Sequence, residues 1–184
     1  MPVVLQKKLT YEDYLQMTPP DSGNYQLIHG EIISMTSPSS KHQKCIVNLT
    51  FLIQSYLLNK PIGKLFIAPM DVILEAGEVY QPDLLFISGS RDYIIEESKI
   101  NGVPDLIIEV LSPSNAYYDL VIKKKVYEVC EVMEYWIVDP IQKSLDLYIL
   151  SGNKFHLRQQ LEKIGNVSTE ILSGIDLDIE KVFK

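Results

Sequence analysis

The chain has 184 residues, 46% of them apolar and 22% charged, which suits a single domain over residues 1–184 that buries ~70% of its unfolded surface without disulfides or structural metal. Seventeen Lys and Arg stand against 24 Asp and Glu, a formal net charge of −7. That excludes a protein that grips nucleic acid by bulk positive charge, but not an enzyme that needs acids to hold a metal.

Thr10 to Met17 reads as a short helix, with Thr10 as cap and Asp13 completing a capping box. The Pro19–Asn24 cluster breaks it. Tyr25 to Met35 reads as a hairpin turning at His29-Gly30, and Ser37-Pro38-Ser39-Ser40 then supplies turn and cap residues. From Lys41 to Asn59, apolar residues at 46, 49, 53, 56 and 57 recur at helical spacing. Pro61-Ile62-Gly63 ends that helix. Short strands are expected over Lys64–Ala68, Asp71–Leu74 and Pro82–Ile87, with a turn at Glu75–Glu78. A short helix suits the polar stretch 88–103. Asp105–Leu111 is nearly all apolar, as in a strand buried on both faces. After the break at Ser112–Asn115 a helix is expected over Asp119–Val132, then a strand at Glu134–Asp139 and a hairpin of Leu145–Leu150 with Lys154–Gln160. A short helix closes the chain. Strand, helix, strand across 105–139 is a crossover unit, so part of the sheet should be parallel.

Cys45 and Cys130 lie among apolar neighbours without metal-binding spacing, and are expected as buried free thiols. The start of the chain lacks the apolar run of a signal peptide, and no stretch reaches the ~18 residues of a membrane span. A cytoplasmic protein without membrane contact is expected. Walker, GxGxxG, GxSxG and HExxH patterns are absent from the sequence, so nucleotide-cofactor and serine-hydrolase chemistries have no support.

Three acids interrupt apolar strands: Asp83, Asp105 and Glu109. A buried unpaired carboxylate is costly, so Glu109 in particular needs a cation, a donor or an exit to water. Asp105, Ile107, Glu109 and Leu111 share one strand face. Asp83 and Glu109 on adjacent strands could converge on Mg²⁺, which takes few carboxylates and retains waters. Lys123, on the following helix, is either the lysine of such a site or a solvated charge paired with Asp119 at i,i+4. His42 either caps the long helix or faces the acids. Tyr127 either fills the core or packs over Lys123. His29 and His156 read as turn and surface residues, and Lys124 and Lys125 as a solvated face.

These residues, in order, resemble the PD-(D/E)XK nuclease superfamily and, within it, the Uma family of restriction-endonuclease-like proteins. The resemblance spans residues 9–183. It is carried by Leu9–Tyr14, Tyr25–Glu31, Ser37-Pro38 with His42, Pro82-Asp83-Leu84, Glu109–Ser114, Asp119 with Lys123 and Tyr127, Glu134–Pro140 and the Gly174–Phe183 tail. It implies an α/β fold: a restriction-endonuclease-like αβββαβ core with a mixed central sheet flanked by helices, plus N-terminal and C-terminal hairpins. Asp83 and Glu109 would be metal-holding catalytic acids and Lys123 the catalytic lysine, moved to the helix from the strand position occupied here by Leu111. Glu31, His42, Asp119 and Tyr127 would support them. Relatives commonly carry glutamate where this chain has Gln26; Glu31 is the nearest substitute, at opposite strand parity.

The resemblance implies a Mg²⁺-dependent (or Mn²⁺-dependent) endonuclease acting on DNA, with a homodimer as the natural way to cut two strands. The alternative is a catalytically impaired nucleic-acid-binding or assembly domain on the same fold. A third reading makes the Glu109–Lys123 pair purely structural.

Overall fold

A computed structural model describes residues 9–19, 25–74, 78–113 and 116–184. Parts of three expected turns, at 20–24, 75–77 and 114–115, lie outside them. Helix α1 (Tyr11–Met17) starts at the expected capping box: Asp13 N–H donates to Thr10 Oγ1, and the Asp13 carboxylate accepts from Thr10 N–H. Strands β1 (Tyr25–Ile28) and β2 (Glu31–Ser34) form the hairpin. Its turn residues His29 and Gly30 both have positive φ, 54° and 80°, the pattern of a type I′ turn. Helix α2 (Ser40–Asn59) is capped by Ser39. Its stripe of Ile46, Leu49, Ile53 and Leu57 is buried.

Two sheets follow, where the sequence suggested one central sheet. The larger has six strands: β3 (Gly63–Ile67), β6 (Leu84–Ser88), β8 (Leu106–Val110), β9 (Glu134–Asp139), β10 (Ser144–Ser151) and β11 (Lys154–Glu162). They are hydrogen-bonded in that order from one edge to the other. Only β8 and β9 run parallel, as the crossover predicted. The second sheet contains the first hairpin together with β4 (Asp71–Ile73), β5 (Val79–Tyr80) and β7 (Lys99–Asn101), in the order β2-β1-β5-β4-β7. Strands β5 and β7 are too short, at two and three residues, to leave a periodic signal. Between β6 and β7 the polar stretch contains a 3₁₀ helix at Gly89–Ile94.

Alternation in the large sheet sorts its side chains into two cores. Leu84, Phe86, Leu106, Ile108, Val110 and Trp136 pack against α2 and the chain's tail, including α4 (Ile179–Val182). Leu85, Ile87, Ile107 and Tyr135 face the other way, onto the second sheet and α3 (Lys124–Val129). Helix α1 covers the far side of the second sheet through Tyr14, against Leu27 and Val79. At the start of β3, a Cβ on Gly63 would collide with the Ile87 carbonyl and the Phe86 ring, so this edge pairing requires glycine. No helix among the described residues is long and apolar enough to cross a membrane. Cys45 and Cys130 are buried and form no disulfide, and burial raises the Cys45 pKa to about 11, so that thiol is inert.

The crossover helix differs from the expectation. Tyr118–Lys123 is π-helical and only Lys124–Val129 is α-helical. Such π segments are rare and are enriched at functional sites.

Candidate active site

Glu109 lies on the same face of β8 as Ile107, and so points toward α3 and the second sheet. Leu106, Ile108 and Val110 point to α2. The π-helical turn returns over this face and carries Lys123 to it. The Lys123 ammonium donates to Glu109 Oε1 at 2.9 Å. It also lies 2.9 Å from Asp119 Oδ1, at ion-pair distance but without an aligned hydrogen bond. Lys123 and Glu109 are each only 2% exposed, which overturns the solvated-charge reading of Lys123. One turn on, Tyr127 donates its hydroxyl to Glu109 Oε1 at 2.9 Å. It also packs edge-on against Tyr80 and Tyr135, as the core reading of Tyr127 expects. Tyr135 donates to the Asp119 carbonyl at 2.9 Å and so anchors the π turn from below.

Asp83 approaches from the loop before β6. Its Oδ2 accepts the Val110 N–H at 2.8 Å, one residue beyond Glu109. In return the Asp83 N–H reaches Glu109 Oε2 at 3.4 Å. These crossed contacts set the two carboxylates side by side at the end of the β6–β8 pair. His42, in the first turn of α2, places Nε2 3.2 Å from Asp83 Oδ2. Its Nδ1 is buried and without a partner.

The acids, Lys123, His42 and Gln26 line a cleft of about 600 Å³. Gln26 lies on β1, is buried, and has no partner for Oε1. The structure therefore brings together Asp83, Glu109, Lys123, Asp119, His42 and Tyr127. It does not bring Glu31, which sits exposed at the start of β2 and lines no part of the cleft. In the hairpin register Glu31 stands opposite Ile28 while Gln26 stands opposite Ile33, so Glu31 shares the face of Gln26, against the parity expected from the sequence, but lies at the exposed turn end and cannot replace an acid at position 26. Asp105 is separate too: it binds Ser88 N–H at 2.7 Å and Arg91 at 3.4 Å at the other end of β8. Lys125 is exposed as expected, but Lys124 stands 3.4 Å over the Tyr148 ring.

Three carboxylates confront one ammonium and one imidazole. Burial raises the Glu109 pKa to about 8, the Lys123 charge only partly opposing it and the Asp119 and Asp83 charges adding to it. Burial also raises that of Asp119. For Lys123 burial works the other way, but the surrounding carboxylates outweigh it and hold the ammonium protonated. For His42, burial opposes the charged ring, yet the bond to Asp83 and the nearby carboxylates push its pKa up.

Sequence reasoning missed the opposite wall of the cleft. Val47, Phe51 and Leu58 of α2 line it and are exposed. The available signal was their position: large apolar residues off the buried stripe of an amphipathic helix.

The family described as "Uma2: Putative restriction endonuclease" matches residues 11–180. An uncharacterised protein of Synechocystis sp., sll1609, is 27% identical over 163 residues, covering 88% of this chain and 92% of its own length. The crystal structure of a protein from Anabaena variabilis, described as a "putative nuclease belonging to DUF820", superimposes with a TM-score of 0.75 at 20% identity. That match spans 95% of this chain and 97% of that one, and it establishes a shared fold. The family is the one to which the ordered motifs pointed, and its description supports a nuclease-like function. This chain belongs to the Uma2 family.

Proposed function

We propose that the protein is an endonuclease that hydrolyses DNA phosphodiester bonds with Mg²⁺, or with Mn²⁺ in its place. One observation carries this reading: Asp83 and Glu109 lie side by side, with a buried lysine behind them, where the cleft reaches the sheet end. The donor set fits a hard cation. Oδ2 of Asp83 and Oε1 of Glu109 are engaged by protein donors. Among the described residues, Asp83 Oδ1 has no hydrogen bond and Glu109 Oε2 has only the 3.4 Å contact. No three His, Cys, Asp or Glu side chains of the described residues group to enclose an ion, but Mg²⁺ is commonly held by one or two carboxylates and water.

When bound, the cation supplies a more acidic water and neutralises phosphate charge. The chain's own residues do the rest. Asp83 and Glu109 would hold the ion. The Val110 N–H, His42 and Tyr127 fix the orientation of those carboxylates. Lys123 holds a fixed positive charge close to where negative charge develops on the phosphorane oxygens, and such preorganised charge is worth most where water is excluded. A water oxygen bonds to phosphorus and the bond to the leaving sugar oxygen breaks. One water is consumed, leaving one phosphomonoester end and one hydroxyl end.

A second reading, an impaired binding or assembly domain, is favoured by one observation. Gln26 puts a neutral amide with an unpartnered oxygen into the cleft. Supercoiled plasmid and single-stranded DNA incubated with Mg²⁺, Mn²⁺ or EDTA, with Glu109→Gln alongside, separate the two. Metal-dependent cleavage that the variant loses supports the nuclease. Folded protein that cuts nothing supports the second reading, with Gln26→Glu as the variant to restore a third acid.

A further inference from the structure

The cleft has two unlike halves. At one end lie the acids and Lys123. The other is a wall along α2, where Val47, Phe51 and Leu58 point outward, faced by Ile67 at the end of β3. Phe51 is 69% exposed on a helix whose core stripe is already complete without it. Polar groups are set among these apolar ones. Gln43 and Gln54 line the same wall, and Thr50 Oγ1, buried in it, has no partner. An apolar trough with a few unsatisfied polar groups is the usual form of a ligand site.

Charge narrows the occupant. Among the described residues, Lys123 is the sole lysine or arginine that lines the cleft, and it is committed to Glu109 and Asp119. Proteins that hold a duplex neutralise several phosphates at once with Lys and Arg, and these walls lack the means. A single strand carries phosphates too, but one or two unpaired nucleotides need fewer of them neutralised, and the walls offer an accessible aromatic ring on which an unstacked base can lie, with amides that can meet its edge. Access points the same way. Glu109 and Lys123 are almost wholly buried, so a phosphate must be brought to them through a 600 Å³ trough, whereas B-DNA is a wide cylinder whose major groove alone spans ~12 Å.

We propose that the cleft binds unpaired nucleotides, with a base stacked on Phe51 against the α2 wall, and that single-stranded rather than duplex nucleic acid is the substrate class of this site. The binding half of this inference stands alone; the substrate half rests on the nuclease reading.

The test titrates the full-length protein into a short oligonucleotide carrying one fluorescent adenine analogue, single-stranded or annealed, in Ca²⁺ and in EDTA. The expected result is quenching of the analogue, with the single strand bound at least ~10-fold more tightly than the duplex. Phe51→Ala should weaken single-strand binding by ~10-fold, about 1.4 kcal/mol, in line with the loss of one stacked base. Phe51→Trp should retain it. Alanine at this exposed helical position favours the helix, so the melting temperature checks that the fold persists. Equal or tighter duplex binding, unchanged affinity in Phe51→Ala, or no binding to either form would overturn the proposal. So would a dimer in sedimentation that Phe51→Ala dissociates, because the wall would then belong to a second copy. Single-strand binding without cleavage would retire the nuclease, and with it the substrate half, and keep the binding half of this inference. Duplex cleavage that needs Glu109 but not Phe51 would do the reverse.

Discussion

Two glutamates on adjacent strands of the large sheet are equally buried and do opposite things. Glu109 and Glu134 are each 2% exposed, on the parallel pair β8 and β9, where Glu109 sits opposite Ile137 and Glu134 opposite Leu106. They are three rungs apart, about 10 Å along the strands. Glu134 is saturated by donors. It accepts the Trp136 indole N–H at 3.1 Å, the Thr169 hydroxyl at 2.7 Å, and the N–H groups of Glu170 and Ile171 at 2.8 and 3.2 Å. It pins the C-terminal segment to the sheet. Glu109 has one oxygen engaged by Lys123 and Tyr127, and the other directed only to a long contact at 3.4 Å. A buried carboxylate whose lone pairs are filled is structural. One left partly unfilled at the wall of a cleft is available for chemistry.

Substitutions at the two positions should separate these roles. Glu109→Gln is expected to lower metal-dependent cleavage by ~10²–10³-fold, the size of effect seen when one group that stabilises the transition state is lost. Its urea midpoint should move less than that of Glu134→Ala. Glu134→Ala leaves four donors unpaired and should cost about 3 kcal/mol or more, read as a shift in the denaturation midpoint, with cleavage by the remaining folded protein unchanged. A Glu109→Gln protein that still cuts would break the comparison.

The acid cluster should also show in the pH dependence of stability. The folded pKa of Glu109 is raised to about 8 by burial, so below that value the folded state holds a proton that the unfolded chain releases near pH 4.5. His42 is raised as well: burial opposes its charge, but the Asp83 bond and the neighbouring carboxylates prevail. Its contribution is complete below about pH 6.5 and is lost as pH rises through the folded value. Both signs agree. In EDTA, stability should fall between pH 6 and pH 8, by up to about 1.4 kcal/mol per pH unit for each extra proton held. Glu109→Gln should flatten the slope. A slope that Glu109→Gln leaves unchanged would mean that Lys123 keeps Glu109 ionised, since a group ionised in both states contributes none.

Smaller effects sharpen the same contrast. Tyr127→Phe removes one donor from Glu109 Oε1 and should cost about 1 kcal/mol in a urea melt. Lys125→Ala breaks an ion pair with Glu128 on the open face of the same helix and should change the midpoint by less than about 0.5 kcal/mol.

Much of this was legible beforehand, for identifiable reasons. Strand parity put Glu109 on the face of Ile107, and the structure keeps it there. The Thr10–Asp13 box, the His29-Gly30 turn and the parallel β8–β9 pair are local or topological signals, and each appears as expected. Glu31 failed for another reason than parity: the hairpin register returns it to the face of Gln26 but at the exposed turn end, outside the cleft. Glu134 was read only as part of a strand, because its donors come from Thr169, Glu170 and Ile171, some 35 residues later. The α2 wall was overlooked because Val47, Phe51 and Leu58 gain meaning only once the helix's other face is known to be full.

The sequence by itself determined the order of elements, the faces of the strands and the residues that resemble a nuclease's acids and lysine. Those depend on backbone period, turn chemistry and motif order, which are properties of short stretches. The tertiary structure decided that two sheets form instead of one, that Lys123 arrives on a π turn to meet Glu109, that the Asp83 carboxylate accepts the Val110 N–H while the Asp83 N–H reaches the Glu109 carboxylate, and that Phe51 is left facing the cleft. Each of these depends on which distant segments fill a carboxylate's lone pairs or cover an apolar face, and no local pattern encodes that pairing.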